Sequence, residues 1–160
     1  KKYYGSTIGL SGRGESIAQK TNYCEIDPNK VDKFGVPVLR FYYQWTDNEI
    51  KQAKHMQDTF EEIIYNMGGI SLWDKPGKDS NYGLTKPGQI IHEVGTTRMG
   101  SDPKDSVVNE FEKLHDTDNV YVVDAGPFVS QADKNPTWTI LALAMRSSEK
   151  IVEEFKKQNF

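Results

Sequence analysis

The stretch TWTILALAM, residues 137–145, is apolar nearly all the way round a helix. A helix without a polar face is stable only where other structure covers it on every side. The residues that follow, RSSEKIVEEFKKQNF, keep only Ile151, Val152 and Phe155 on one side. A single helix over about 136–157 is therefore expected, deep at its start and wet at its end. Asn135 suits its N-cap and Pro136 its first helical position. Upstream, VYVVD at 120–124 reads as a buried strand ending in a carboxylate, and the small residues Ala125 and Gly126 read as a turn.

The rest of the chain alternates strand, helix and loop signals. TNYCEI (21–26) is a candidate strand, DPNKVDKFG a polar turn region, and VPVLRFYYQW (36–45) a β-branched and aromatic strand. Thr46-Asp47-Asn48-Glu49 has the spacing of a capping box, with Trp45 and Ile50 placed for a hydrophobic staple across it. Behind it, Ile50, Ala53, Met56, Phe60, Ile63, Ile64 and Met67 recur at steps of three and four. They predict a helix over 47–67 with one buried stripe, ended by Gly68-Gly69. His55 lies beside that stripe. Residues 71–88, with two Lys-Pro-Gly turns, read as a long loop. QIIHEV (89–94) is a further candidate strand. The glycine-rich GSTIGLSGRG (5–14) lacks G-x-G-x-x-G spacing and reads as a surface loop rather than a phosphate cradle.

Composition narrows the function. The formal charge is −3, from 20 basic and 23 acidic residues among 160. No run of one sign stands out, which points away from a nucleic-acid or anionic-membrane partner. Cys24 is the single cysteine, so an internal disulfide and a cysteine-built zinc site are both excluded. The three histidines, His55, His92 and His115, have no pair at helix-ligand or short-loop spacing, so no metal site is expected. No stretch approaches the apolar length of a spanning helix. The compartment stays open between periplasm and cytoplasm.

Chemistry concentrates in two places. His92 ends an apolar run, three residues before Gly95, and by itself leaves open a packed core residue, a metal ligand or a catalytic base. The second place is the turn and helix start at 124–137. Unpaired amides at a helix N-terminus carry partial positive charge and stabilise an anion or a developing negative charge. Asn135 adds a donor and an acceptor beside it. Arg98 reads as a loop staple, Asp102 as a turn residue before Pro103, and His115 as exposed.

Four elements then occur in order over 89–155: H-x-x-G-T-x-R-M-G beginning at His92, D-P…S-V-V at 102–108, the strand ending in Asp124-Ala125, and N-P-T-x-T-I at 135–140. Together they closely resemble the C-terminal signature of the glucose–methanol–choline (GMC) flavoprotein oxidoreductases. Residues 25–64 also resemble the substrate domain of bacterial members, the sugar, polyol and gluconate-type dehydrogenases and other choline dehydrogenase-like enzymes. The resemblance implies FAD as cofactor and a sugar or alcohol CH–OH group as substrate. It implies that His92 takes the hydroxyl proton while hydride passes to flavin N5, with Asn135 bonding the substrate oxygen. It also places Asp124, Ala125, Gly126, Pro136 and Thr137 beside the cofactor.

The family's dinucleotide-binding G-x-G-x-x-G unit does not occur in this sequence. The chain is therefore expected to be one C-terminal substrate-binding domain, residues 1–160, with 120–160 returning to an FAD domain that is not present. The expected fold is α+β: a mostly antiparallel sheet with helices on one face, including the capped helix. The strand 120–124 and the helix 136–157 belong to the FAD-binding side. Such a piece is expected neither to retain FAD nor to turn over substrate alone. A dehydrogenase is favoured over an oxidase, with an electron-acceptor subunit as a candidate partner. The alternative is a non-catalytic docking module for an electron-transfer partner. Substrate identity is expected to lie in loops 71–88 and 126–134.

Overall fold

The computed structural model describes residues 3–159. Their content is α+β, with small antiparallel sheets and two long helices. The chain forms two compact units.

The first unit holds the residues up to Gly14 together with Trp45–Lys86. Its centre is helix α1, Asp47–Asn66. The capping box forms as its sequence dictates: the Thr46 hydroxyl accepts from the Asn48 amide at 3.2 Å, and the Thr46 amide donates to Glu49 Oε2 at 2.8 Å. Along the stripe Ala53 is buried and Ile50, Met56, Phe60 and Ile64 are half-buried, whereas Ile63 and Met67 remain exposed. Gly68, at φ +72°, turns the chain out of the helix. The glycine-rich segment lies against α1. A Cβ on Gly12 would stand 2.4 Å from Met56 Sδ, and one on Gly14 would stand 2.7 Å from Gln52 Oε1. At Gly12, where Met56 Cγ and Phe60 Cζ also stand close, this is a packing reason for lacking a side chain, whereas at Gly14 the ends of flexible side chains could give way. The long loop carries a 3₁₀ turn, Lys78–Gly83, and is tied back where Gln57 Nε2 donates to the Tyr82 carbonyl at 3.0 Å. Trp45 Nε1 donates to the Thr85 carbonyl, also at 3.0 Å.

The second unit holds Glu15–Gln44 and the residues from Pro87 onward. Strands β2, Tyr23–Val31, and β3, Pro37–Tyr42, form an antiparallel hairpin in which the Tyr23 and Tyr42 rings stack at 4.6 Å. The sequence placed a turn region at 27–35, but β2 runs on through Asp27-Pro28-Asn29-Lys30, with a register irregularity between Ile26 and Val31. Pro28 has no amide to give the ladder, and a bulge absorbs that loss. The turn itself is Asp32–Gly35: Asp32 Oδ1 accepts from the amides of Phe34 and Val36 at 2.8 and 3.0 Å, and Gly35 takes φ +83°. A second, two-residue pairing joins β1, Ser16–Ile17, to β4, Ser130–Gln131.

Two expected strands do not form. Residues 89–94 are bends and coil, because Gly88 and His92 both take φ +79° and break the extended run. VYVVD at 120–124 is reduced to a single bridge between Tyr121 and Lys113, with Val122 N–H donating to the Glu112 carbonyl at 2.9 Å. Its backbone bonds run to Glu112 and, at 3.0 Å, from the Leu114 amide to the Val120 carbonyl, a short turn segment that does not extend into a ladder.

Helix α2, Thr137–Lys156, docks on that same turn. The fully buried Ser147 has its Oγ 2.9 Å from the Phe111 carbonyl and 2.6 Å from Glu112 Oε2. Arg146 donates to the Glu110 carbonyl, and Lys150 Nζ stands 5.3 Å from the centre of the Phe111 ring. The fully buried Val108 bridges Met99 on one side and Leu114 on the other. The apolar start of α2 is open: Trp138 is 83% exposed, Leu141 55% and Met145 66%. No helix among the described residues is long and apolar enough to cross a membrane.

Candidate functional site

His92 sits in the second unit, half-buried, with a left-handed backbone at φ +79°. Its imidazole makes no hydrogen bond or ion pair with any described residue. The chain after it is laid along the turn that follows residue 124. The Gly95 amide donates to the Ala125 carbonyl at 3.3 Å, Thr97 to Gly126 at 3.2 Å and Met99 to the buried Pro127 at 2.9 Å. Three successive carbonyls facing one segment require a turned backbone, and the Asp124 carboxylate sets it. Asp124 Oδ1 accepts from the Gly126 amide at 2.7 Å, an Asx turn. The structure thus brings the His92 turn and the 124–126 turn together, though the two are far apart in sequence.

Gly126 has a reason for its lack of a side chain within the chain itself: a Cβ there would stand 2.2 Å from Thr97 Oγ1. Thr97 was not singled out from the sequence. Its hydroxyl is buried without a partner, as is Gln131 Oε1. The Gln131 amide nitrogen donates to the carbonyls of Ala132 and Lys134 at 3.1 and 3.2 Å and so shapes the loop that leads to Asn135. The repeated threonine of GTTRMG was the one sequence signal for Thr97; nothing local marked Gln131.

Asn135 and Thr137 are exposed and Pro136 is buried. Asn135 is not the N-cap. The first intrahelical bond runs from the Ile140 amide to the Pro136 carbonyl at 3.0 Å, which makes Pro136 the cap residue, and no side chain caps the helix. Pro136 stands at φ −81°, a helical value, but the hydrogen-bonded helix starts at Thr137, one residue later than the Asn-Pro pair suggests. The result is a first turn whose amides have no side-chain acceptor. No hydrogen bond joins Asn135 to His92.

The flanking residues divide into staples. The Arg98 guanidinium donates to the Asp105 carbonyl, and Lys20 pairs with the Asp105 carboxylate, holding it below the usual carboxylate range. Asp102 is a turn residue whose Oδ1 accepts from the Lys104 amide at 2.9 Å. His115 is half-buried, not exposed: its Nε2 lies 2.8 Å from Ser106 Oγ, and the Ser106 hydroxyl also reaches the Asp102 carbonyl at 2.6 Å. A side chain nine residues back, Ser106, draws it inward.

Comparison with known proteins identifies the family. The family model described as GMC oxidoreductase matches residues 19–144. A gluconate 2-dehydrogenase flavoprotein of Pantoea cypripedii is 31% identical over 96% of this chain and 25% of its own length. A 2-methyl-1,2-propanediol dehydrogenase of Mycolicibacterium austroafricanum is 30% identical over 96% of the chain and 27% of its own length. A paromamine 6'-oxidase of Streptomyces fradiae is 31% identical over 75% of the chain and 21% of its own length. The chain thus spans about a quarter of the length of the curated relatives it matches. With the family match covering most of its residues, the chain belongs to the GMC oxidoreductase family.

Proposed function

We propose that this chain is the C-terminal part of an FAD-dependent oxidoreductase that oxidises a CH–OH group of a sugar or alcohol. The observation that carries the reading is the bond from the Gly95 amide to the Ala125 carbonyl, which lays the His92 turn against the 124–126 turn. Within the family pattern these two turns are the base side and the cofactor side of one site.

The residues present fit a polar, partly anionic cofactor. The first turn of α2 offers amides with no side-chain acceptor, and the exposed Asn135 and Thr137 stand at that end. Asp124, Ala125, Gly126 and Pro136 would line the same side. When bound, FAD supplies the hydride acceptor at flavin N5. His92 accepts the substrate hydroxyl proton, since imidazole is the side chain suited to that role near neutral pH. Asn135 orients the substrate oxygen without titrating. The amides of Thr137 and Trp138 stabilise negative charge beside them.

Because the chain spans only about a quarter of its relatives' length, most of the FAD site is assigned to polypeptide outside it, on which 120–160 would pack. These 160 residues alone are then expected to retain no flavin and show no turnover. A dehydrogenase with a separate electron acceptor is favoured over an oxidase. The relatives include both dehydrogenases and oxidases, so the preference rests on the resemblance of the sequence to bacterial sugar and polyol dehydrogenases. A panel of sugars and alcohols on the full-length protein, with oxygen and an artificial dye as rival acceptors, tests this. Dye reduction by one substrate class supports the reading, and absence of turnover with bound flavin favours a docking module instead.

A further inference from the structure

Five described residues other than glycine have positive φ. Asn81, Tyr82, Glu112 and Gln158 lie between 48° and 63°, within the left-handed region open to L-residues. His92 stands apart at 79°, among the glycines: Gly88 is at 79° and Gly95 at 83°. A side chain with a Cβ is disfavoured there by contact with its own backbone. His92 also has a half-buried imidazole with no hydrogen-bonding partner among the described residues. The conformation is a cost that the backbone bears, and no hydrogen bond from the ring to a described residue holds it there.

We infer that position 92 is a glycine site as far as folding is concerned, and that its histidine is kept against the fold's own preference for what the ring does. The left-handed backbone is a positioning device. It ends the apolar run of Ile90 and Ile91 and turns residue 92 out of their alternation, three residues before Gly95 fixes the chain to Ala125. Stability and function oppose each other at this residue. What the ring does rests on the function proposed above; the backbone claim does not.

The test compares His92→Gly with His92→Ala in the full-length protein. Both variants delete the imidazole, so their difference isolates the backbone. At an ordinary position alanine is the more stable of the two, because glycine loses more freedom on folding. At a left-handed position the order reverses. The inference expects His92→Gly to unfold at a temperature roughly 1–3 °C above His92→Ala, with His92→Asn, whose side chain tolerates this region, also above alanine. An equal or lower midpoint for His92→Gly overturns it. So does failure of His92→Gly to fold, since that would make the imidazole a folding requirement. Turnover is read separately: a more stable His92→Gly that still oxidises substrate leaves the backbone claim standing but overturns the claim that the ring is kept for its chemistry, and with it the proton-accepting role.

Discussion

Gly126 is a residue whose meaning changed between sequence and structure. From the sequence its small size invited a cofactor; in the fold its Cα faces the Thr97 hydroxyl. Gly126→Ala would force that hydroxyl or the Asx turn at Asp124 to move, because the added Cβ would come within 2.2 Å of Thr97 Oγ1. The substitution is expected to destabilise by about 1–3 kcal/mol, the usual cost of overpacking, measured by denaturant unfolding. Gly126→Ala combined with Thr97→Ala should recover part of the loss, the remainder being the 2.9 Å approach to Asp124 Oδ1, and no recovery at all would show that the Thr97 hydroxyl is not the obstacle. His115 teaches the complementary lesson. Its sequence neighbours are polar, so it reads as exposed, yet Ser106 draws it inward. Pairings of that kind are invisible to periodicity.

Among the elements, α1 was legible in its extent and caps because every signal that makes it is local: cap, stripe and terminal glycines lie within 24 residues, Thr46 to Gly69, although Ile63 and Met67 of the expected stripe stay exposed. The β2–β3 hairpin was legible except for its turn. Pro28 and Asn29 imitate a turn, whereas the real one depends on Asp32 accepting two amides and on Gly35 at positive φ. The stretches 89–94 and 120–124 misled because their apolar runs look like strands, and a strand needs a partner that sequence does not supply. The second half of α1 also straps the long loop through Lys75, whose Nζ lies 3.0 Å from Asp58 Oδ1 and also pairs with Glu61. The hydrogen bonds from Lys54 and then Lys75 lower the Asp58 carboxyl to about 2. A lowered carboxyl favours the fold above its ordinary value of 3.8 and loses that contribution as pH falls through about 2. The side chains are exposed, so the strap orders the loop more than it stabilises the protein. NMR titration of the Asp58 carboxyl should show a midpoint near 2, and Lys75→Met should move it upward. A midpoint at the ordinary value in the unaltered chain would remove the strap.

At the scale of the whole molecule, the family was legible, and of the candidate site only its local signature was. The signature residues lie in one unbroken segment, which is why the sequence carried them. What surrounds them does not lie there: α2 opens with Trp138, Leu141 and Met145 exposed, and its first amides have no side-chain cap. The sequence demanded cover for that stretch, and these residues do not provide it. If the remaining polypeptide supplies the cover, Trp138 fluorescence should be blue-shifted in the full-length protein relative to these 160 residues alone. Equal emission maxima would place the cover elsewhere.

The central claim, that His92 accepts a proton in a flavin-dependent oxidation, is tested most directly by anaerobic flavin bleaching in the full-length protein. After a reactive sugar or alcohol is identified, the rate of bleaching is compared between the unaltered protein and His92→Ala at equal flavin content. The account predicts a rate lower by about 10²–10⁴-fold, the usual contribution of a positioned base, with the flavin still bound. Bleaching at an unchanged rate in His92→Ala would contradict it.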